Sequence, residues 1–158
     1  METNLLFYEI QKGTVTTRDY VNWSYGLLIN GISSPSLKIL SSCSFDDNLF
    51  EIESYFKRSL KELAIKEPTF EACAKARIVF LAKKIVKADD HKEISNLADM
   101  IFRVVAIELD NSDDLFPWIE ISELIDRLDY DVRCITLNKR DVISKIKNEA
   151  RLLHSLDH

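Results

Sequence analysis

Leu49-Phe50-Glu51-Ile52-Glu53-Ser54-Tyr55-Phe56-Lys57-Arg58-Ser59-Leu60-Lys61-Glu62-Leu63 shows the helical period openly. Leu49, Ile52, Phe56, Leu60 and Leu63 recur at steps of three and four, which sets them along one stripe of an α-helix. Glu53 with Lys57 and Arg58 with Glu62 stand four apart, the spacing of solvent-side pairs. Asp46 or Asp47, just upstream, supplies the start signal.

The same period runs outward in both directions. Upstream, Thr16 or Thr17 caps a helix through about Asn30 that carries Tyr20, Trp23, Leu27 and Leu28 and ends at Asn30-Gly31 in a left-handed residue. Ser34-Pro35 is a cap followed by a first-turn proline, and predicts a short helix to about Cys43. Downstream, Pro68-Thr69 opens a helix to about Ala88 with Phe70, Cys73, Ala74, Phe80, Leu81 and Ile85 on its apolar side. After a turn at Asp89-Asp90-His91, the positions Ile94, Leu97, Ala98, Ile101, Val105 and Leu109 mark a further, mostly buried helix. Asp110 to Phe116 reads as a loop, and Pro117 as the first residue of a helix through Ile121, Leu124, Ile125 and Leu128. Residues 130–138 read as a connector or one short strand, and the last helix runs from about Lys139 to Leu156 through Val142, Ile146 and Leu153. About seven helices with short connections predict an all-α fold, a compact bundle or irregular stack in a single domain spanning 1–158.

Composition agrees with that fold. A chain of 158 residues, 46% apolar and 30% charged, has the balance of a globular protein, long enough to remove roughly 70% of its unfolded surface from water. Its three glycines are Gly13, Gly26 and Gly31, so everything beyond position 31 lacks the residue that phosphate-cradling loops and tight hairpins need. Cys43, Cys73 and Cys134 are odd in number and far apart, which reads as buried free thiols in a reducing compartment. With no basic stretch ahead of an apolar run at the N-terminus and no apolar run of membrane-spanning length, the expectation is a soluble cytoplasmic protein.

The charge distribution is uneven. Glu108, Asp110, Asp113, Asp114, Glu120, Glu123, Asp126 and Asp129 face only one basic residue, Arg127, within 108–129, so this segment stands at −7 while the whole chain stands at −5. Such a surface repels nucleic acid and attracts cationic partners. Phe116, set among these acids immediately before Pro117, has two readings: an exposed anchor for a partner, or a ring folded back onto the core. Trp23 and Trp118 fall on apolar stripes and read as core. The candidate partner-binding residues are therefore Asp110, Asp113, Asp114, Phe116, Glu120, Glu123 and Asp126.

Catalytic material is sparse. Metal-ligating spacings such as Cys-x-x-Cys, His-x-x-x-His or Glu-x-x-His do not occur, so no metal and no cofactor is expected. His91 beside Asp89 and Asp90 reads as a solvated turn, and His154 and His158 as part of a C-terminal tail. Cys43 lies near a helix C-terminus, where the dipole disfavours a thiolate. Asp90 with Glu93 and Glu120 with Glu123 have the spacing by which all-α nucleotide pyrophosphatases hold magnesium. Acidic pairs three apart are no more frequent here than chance allows, and Glu120-Glu123-Asp126-Asp129 reads as a solvent-facing ladder. The basic clusters Lys75, Arg77, Lys83, Lys84, Lys87 and Lys139, Arg140, Lys145, Lys147, Arg151 read as solvated faces paired with the acidic segment rather than as a nucleic-acid surface.

Asp19-Tyr20-Val21-Asn22-Trp23, Ser36-Leu37-Lys38-Ile39-Leu40 and the stretch Phe50 to Leu63 resemble small all-helical immunity proteins of bacterial contact-dependent inhibition and related polymorphic-toxin systems. The likeness covers about the first 65 residues. It implies a non-enzymatic protein that occludes a cognate toxin, often a cationic nuclease. The acidic segment independently suits such a partner, because a surface built for phosphate attracts carboxylates. Two alternatives belong to other classes: a magnesium-dependent nucleotide hydrolase using the paired carboxylates, and a helical adaptor or scaffold subunit.

Overall fold

The computed structural model describes residues 1–130 and 138–155, and among them the chain is all-helical. Its eight α-helices are α1 (Thr3–Gln11), α2 (Thr17–Ile29), α3 (Pro35–Ser42), α4 (Leu49–Glu62), α5 (Phe70–Lys87), α6 (His91–Arg103), α7 (Pro117–Tyr130) and α8 (Lys139–Ser155). A π-helical segment, Val104–Glu108, continues α6, and a 3₁₀ turn, Asp113–Leu115, precedes α7. The strand considered near 130–138, the Cys134 thiol, and the side chains of His154, Leu156 and His158 lie outside the described residues. The chain divides into two compact units, Met1–Cys73 and Ala74–His158, with the boundary inside α5.

In the first unit α2, α3 and α4 pack on one another and α1 packs on α2. Phe56 sits at the centre of an aromatic cluster, its ring centroid 5.7 Å from Phe7, 4.9 Å from Tyr20 and 5.0 Å from Trp23, the last edge-on. Tilted and edge-on geometries of this kind add to the burial energy of the rings. The Trp23 indole Nε1 donates to Thr3 Oγ1 at 3.0 Å, which satisfies a buried donor and ties α1 to α2.

Local sequence explains the helix ends. Thr16 and Asp19 form a reciprocal capping box at the start of α2, with the Thr16 amide donating to Asp19 Oδ2 at 2.8 Å. The Ser34 hydroxyl accepts from the Leu37 amide at 3.2 Å to open α3. At the end of α2, Gly31 at φ 80° closes a paired hydrogen-bond motif, Gly31 N to Leu28 O and Ile32 N to Leu27 O, each 3.0 Å. The cap of α4 is Asn48 rather than Asp46 or Asp47; its side chain accepts from the Phe50 amide at 2.9 Å. Asp47 instead accepts from the Ser44 amide at 2.7 Å and shapes the turn before the helix.

The acidic members of both pairs anticipated on α4 also meet tertiary neighbours. Glu62 accepts from the Ser36 amide at 2.9 Å and the Ser36 hydroxyl at 2.7 Å, so it caps α3, while Arg58 lies over the Tyr55 ring. Burial first, then the nearby Glu53 carboxylate, push the Tyr20 phenol up. Leu49, placed on the buried stripe by its spacing, is exposed because it stands at the first, solvent-facing turn.

In the second unit α6, α7 and α8 pack on one another. Ile94, Leu97, Ala98 and Ile101 of α6, Trp118 and Ile121 of α7, and Val142, Ile143, Ile146 and Ala150 of α8 are buried, as are Ala74, Ile78, Leu81, Ala82 and Ile85 of α5. Among the described residues no helix is long and apolar enough to cross a membrane.

Candidate functional site

The acidic segment begins where α6 changes its winding. Over Val104–Glu108 the backbone bonds to the fifth residue back, as in Leu109 N to Val104 O at 3.1 Å. Val104 and Val105 are buried, whereas Ile107 is 78% exposed. The chain then reverses through two consecutive left-handed residues, Asp110 at φ 48° and Asn111 at φ 56°. Asp and Asn bear that conformation at the lowest cost after glycine, which the chain lacks beyond Gly31.

Leu115, nearly fully buried, anchors the following 3₁₀ turn, and its amide donates to Ser112 O at 2.9 Å. Phe116 is 51% exposed, so its ring is largely an outward feature rather than part of the core. Its carbonyl accepts the first helical bond of α7, from Ile119 N at 2.9 Å. Pro117 occupies the next position, where its missing amide hydrogen is no loss. On α7 the buried pair Trp118 and Ile121 then fixes the inner face, and Glu120, Glu123 and Asp126 are turned to solvent.

All seven candidate residues, Asp110, Asp113, Asp114, Phe116, Glu120, Glu123 and Asp126, are thus exposed within one continuous stretch of the second unit. Two of the acids already meet cations of that unit. Asp114 lies 3.5 Å from Lys75 Nζ of α5, and Glu120 lies 3.1 Å from Lys145 Nζ of α8. The Ser112 hydroxyl donates to the Asp114 carboxylate; that bond first, and the Lys75 charge second, hold this carboxyl below the ordinary aspartate range. Lys147 of α8 reaches Asp89 at 3.8 Å, outside the segment. Pairing between the basic helices and the acidic segment therefore occurs at Asp114 and Glu120, and these exposed pairs contribute little to stability.

Among the described residues, the other chemistry considered from sequence finds no assembled centre. Asp90 is the N-cap of α6, accepting from the Glu93 amide at 2.8 Å, and Glu120 is engaged by Lys145. Among the described residues no group of three or more His, Cys, Asp or Glu side chains is placed to hold a metal ion. Burial first, then the carboxylates of Asp47 and Glu51, push the Cys43 thiol up; burial and Glu67 do the same at Cys73. Neither thiol is poised as a thiolate.

Ile107 is the surface feature that sequence reasoning passed over. It stands off the stripe Ile101, Val105, Leu109, and that displacement was the available signal for an apolar side chain facing water amid acids. Comparison of the chain with protein-family models, with curated proteins and with solved structures returns no match.

Proposed function

We propose that this protein is a non-enzymatic binding protein that recognises a cationic protein partner through the segment from Asp110 to Asp126. The observation that carries the reading is the division of α7 into two faces. Trp118 and Ile121 are buried on one, while Glu120, Glu123 and Asp126 stand in water on the other, preceded by the exposed Phe116 ring. Folding has no use for like charges crowded on an exposed face, and their repulsion mildly opposes it. An aromatic ring within a field of carboxylates has the composition of an interface anchor surrounded by a steering rim. The most specific form of the proposal is an immunity protein that occludes a cognate toxin domain, the function that the resemblance of the first 65 residues implies. It acts where the toxin is held harmless, in the cytoplasm.

The ion pairs refine which residues to test. Asp114 and Glu120 are partly neutralised within the chain, so Asp110, Asp113, Glu123 and Asp126 are the better steering set. The experiment is capture of a partner by the tagged full chain, followed by association kinetics at two salt concentrations. Changing those four residues to Asn or Gln should slow association by about tenfold at low salt and flatten its salt dependence. Phe116→Ala should act mainly on dissociation. Association unchanged by the four substitutions would remove the acidic interface from the proposal.

A further inference from the structure

The first unit carries a groove of about 470 Å³ lined by Val21, Asn22 and Tyr25 of α2 and by Cys43, Ser44 and Phe45 of the turn that follows α3. Of its lining residues Val21 is buried, while Tyr25 (59% exposed) and Phe45 (47%) are exposed. The residues around the groove are ordered by local chemistry. The Arg18 guanidinium lies 4.7 Å from the centre of the Phe45 ring and fixes that ring beside α2. The turn is closed by Ser44 N to Asp47 Oδ2 at 2.7 Å, and it is tied to the start of α2 by the Thr17 hydroxyl, which donates to Asp47 O at 3.1 Å.

The surface extends beyond the groove. Ile29, one turn along α2 from Tyr25, is exposed, and on the other side every residue from Ser44 to Glu51 is exposed, including Leu49 and Phe50 (83%). Large apolar side chains left in water over such a length mark a protein contact rather than a small-molecule site. Asp46, Asp47 and Glu51 lie in the same exposed stretch, and Asp47 and Glu51 are close enough to act on the Cys43 thiol at the groove wall. Against them stands Arg18, already placed over the Phe45 ring, so the rim is net acidic.

We propose that this groove docks a basic amphipathic helix of a partner protein, which seats one apolar side chain between Tyr25 and Phe45 and sets its cations against Asp46, Asp47 and Glu51. Recognition is of the helix-in-groove kind, with apolar anchors supplying affinity and the carboxylate rim selecting a basic over an acidic helix. This site is in the first unit, and it stands or falls separately from the Asp110–Asp126 segment of the second.

The test uses the full chain labelled with ¹⁵N and a synthetic lysine–leucine amphipathic peptide of about 15 residues, long enough to form a helix. The expected result is amide shifts at Asn22, Tyr25, Ser44 and Phe45 on titration. Phe45→Ser and, as a second variant at another exposed position, Tyr25→Ser should each weaken binding by about tenfold, the loss typical of an interface aromatic. Asp46→Asn with Glu51→Gln should weaken it by about threefold. Circular dichroism of each variant verifies that helicity is retained. Equal binding by the corresponding glutamate–leucine peptide, or self-association of the chain through this face abolished by Phe45→Ser, would overturn the proposal. Shifts confined to Asp110–Asp126 would also overturn it, while leaving the acidic segment's role intact.

Discussion

Ala64 ends α4 at φ 53°, in the conformation that Gly31 adopts at the end of α2. The two motifs are bonded alike, with Ala64 N to Lys61 O at 3.2 Å and Ile65 N to Leu60 O at 2.9 Å. An L-residue with a Cβ is strained there, and Ala64 is exposed, so its methyl group returns little packing. Ala64→Gly should therefore stabilise the protein by about 1 kcal/mol, measured by urea denaturation, whereas Gly31→Ala should destabilise it by a similar amount. The shortage of glycine after position 31 is thus expressed as strain at particular residues. At Asp110 and Asn111 the same demand is met by side chains that suit it better, and it serves the turn that presents the acidic segment.

At the scale of elements, Glu62 joins α4 to the start of α3. Hydrogen bonds from Ser34 and Ser36 hold its carboxyl below the usual glutamate range, with the Arg58 charge a lesser cause. A carboxylate at a helix N-terminus also meets the positive end of the helix dipole. Because the folded-state pKa is depressed, this stabilisation is fully present above the ordinary glutamate value and is lost as pH falls through the folded one. Glu62→Gln should lower Tm at neutral pH, and the gap from wild type should close only as pH falls through the depressed folded-state value, where Glu62 itself becomes protonated. The α1–α2–α4 core depends on Phe56, whose ring meets three others. Phe56→Ala and Trp23→Ala should each cost about 3–5 kcal/mol, and Trp118→Ala should cost as much in the second unit. A loss under about 1 kcal/mol at any of the three would place that ring outside the core. The helix that sequence reading missed, α1, has a related cause: Leu5, Leu6, Phe7 and Tyr8 are buried in succession, so no stripe betrays it. Its N-cap, Glu2, makes no capping hydrogen bond from its side chain either.

For the whole molecule, the net charge of −5 is governed by one segment, so repulsion there should be visible in folding as well as in binding. The variant Asp110→Asn, Asp113→Asn, Glu123→Gln, Asp126→Gln should keep its helicity and melt slightly above wild type at low ionic strength. That difference should vanish near 1 M salt, where the screening length falls to about 3 Å. Equal melting temperatures at low salt would show that the segment's charges are already dispersed. Helix type and most helix ends were determined by the sequence alone, because the 3.6-residue stripe, Thr16, Ser34 and Pro117 act over a few neighbouring residues. The exposure of the acids on α7 was legible for the same reason, since Trp118 and Ile121 define the opposite face. Tertiary structure decided what depends on residues far apart in the chain: that Phe116 faces outward, that Lys75 and Lys145 reach Asp114 and Glu120, and that Glu62 caps α3. It also brought Tyr25 and Phe45, twenty residues apart, into the lining of one groove, because burial and charge pairing are settled by packing in space and not by spacing along the chain.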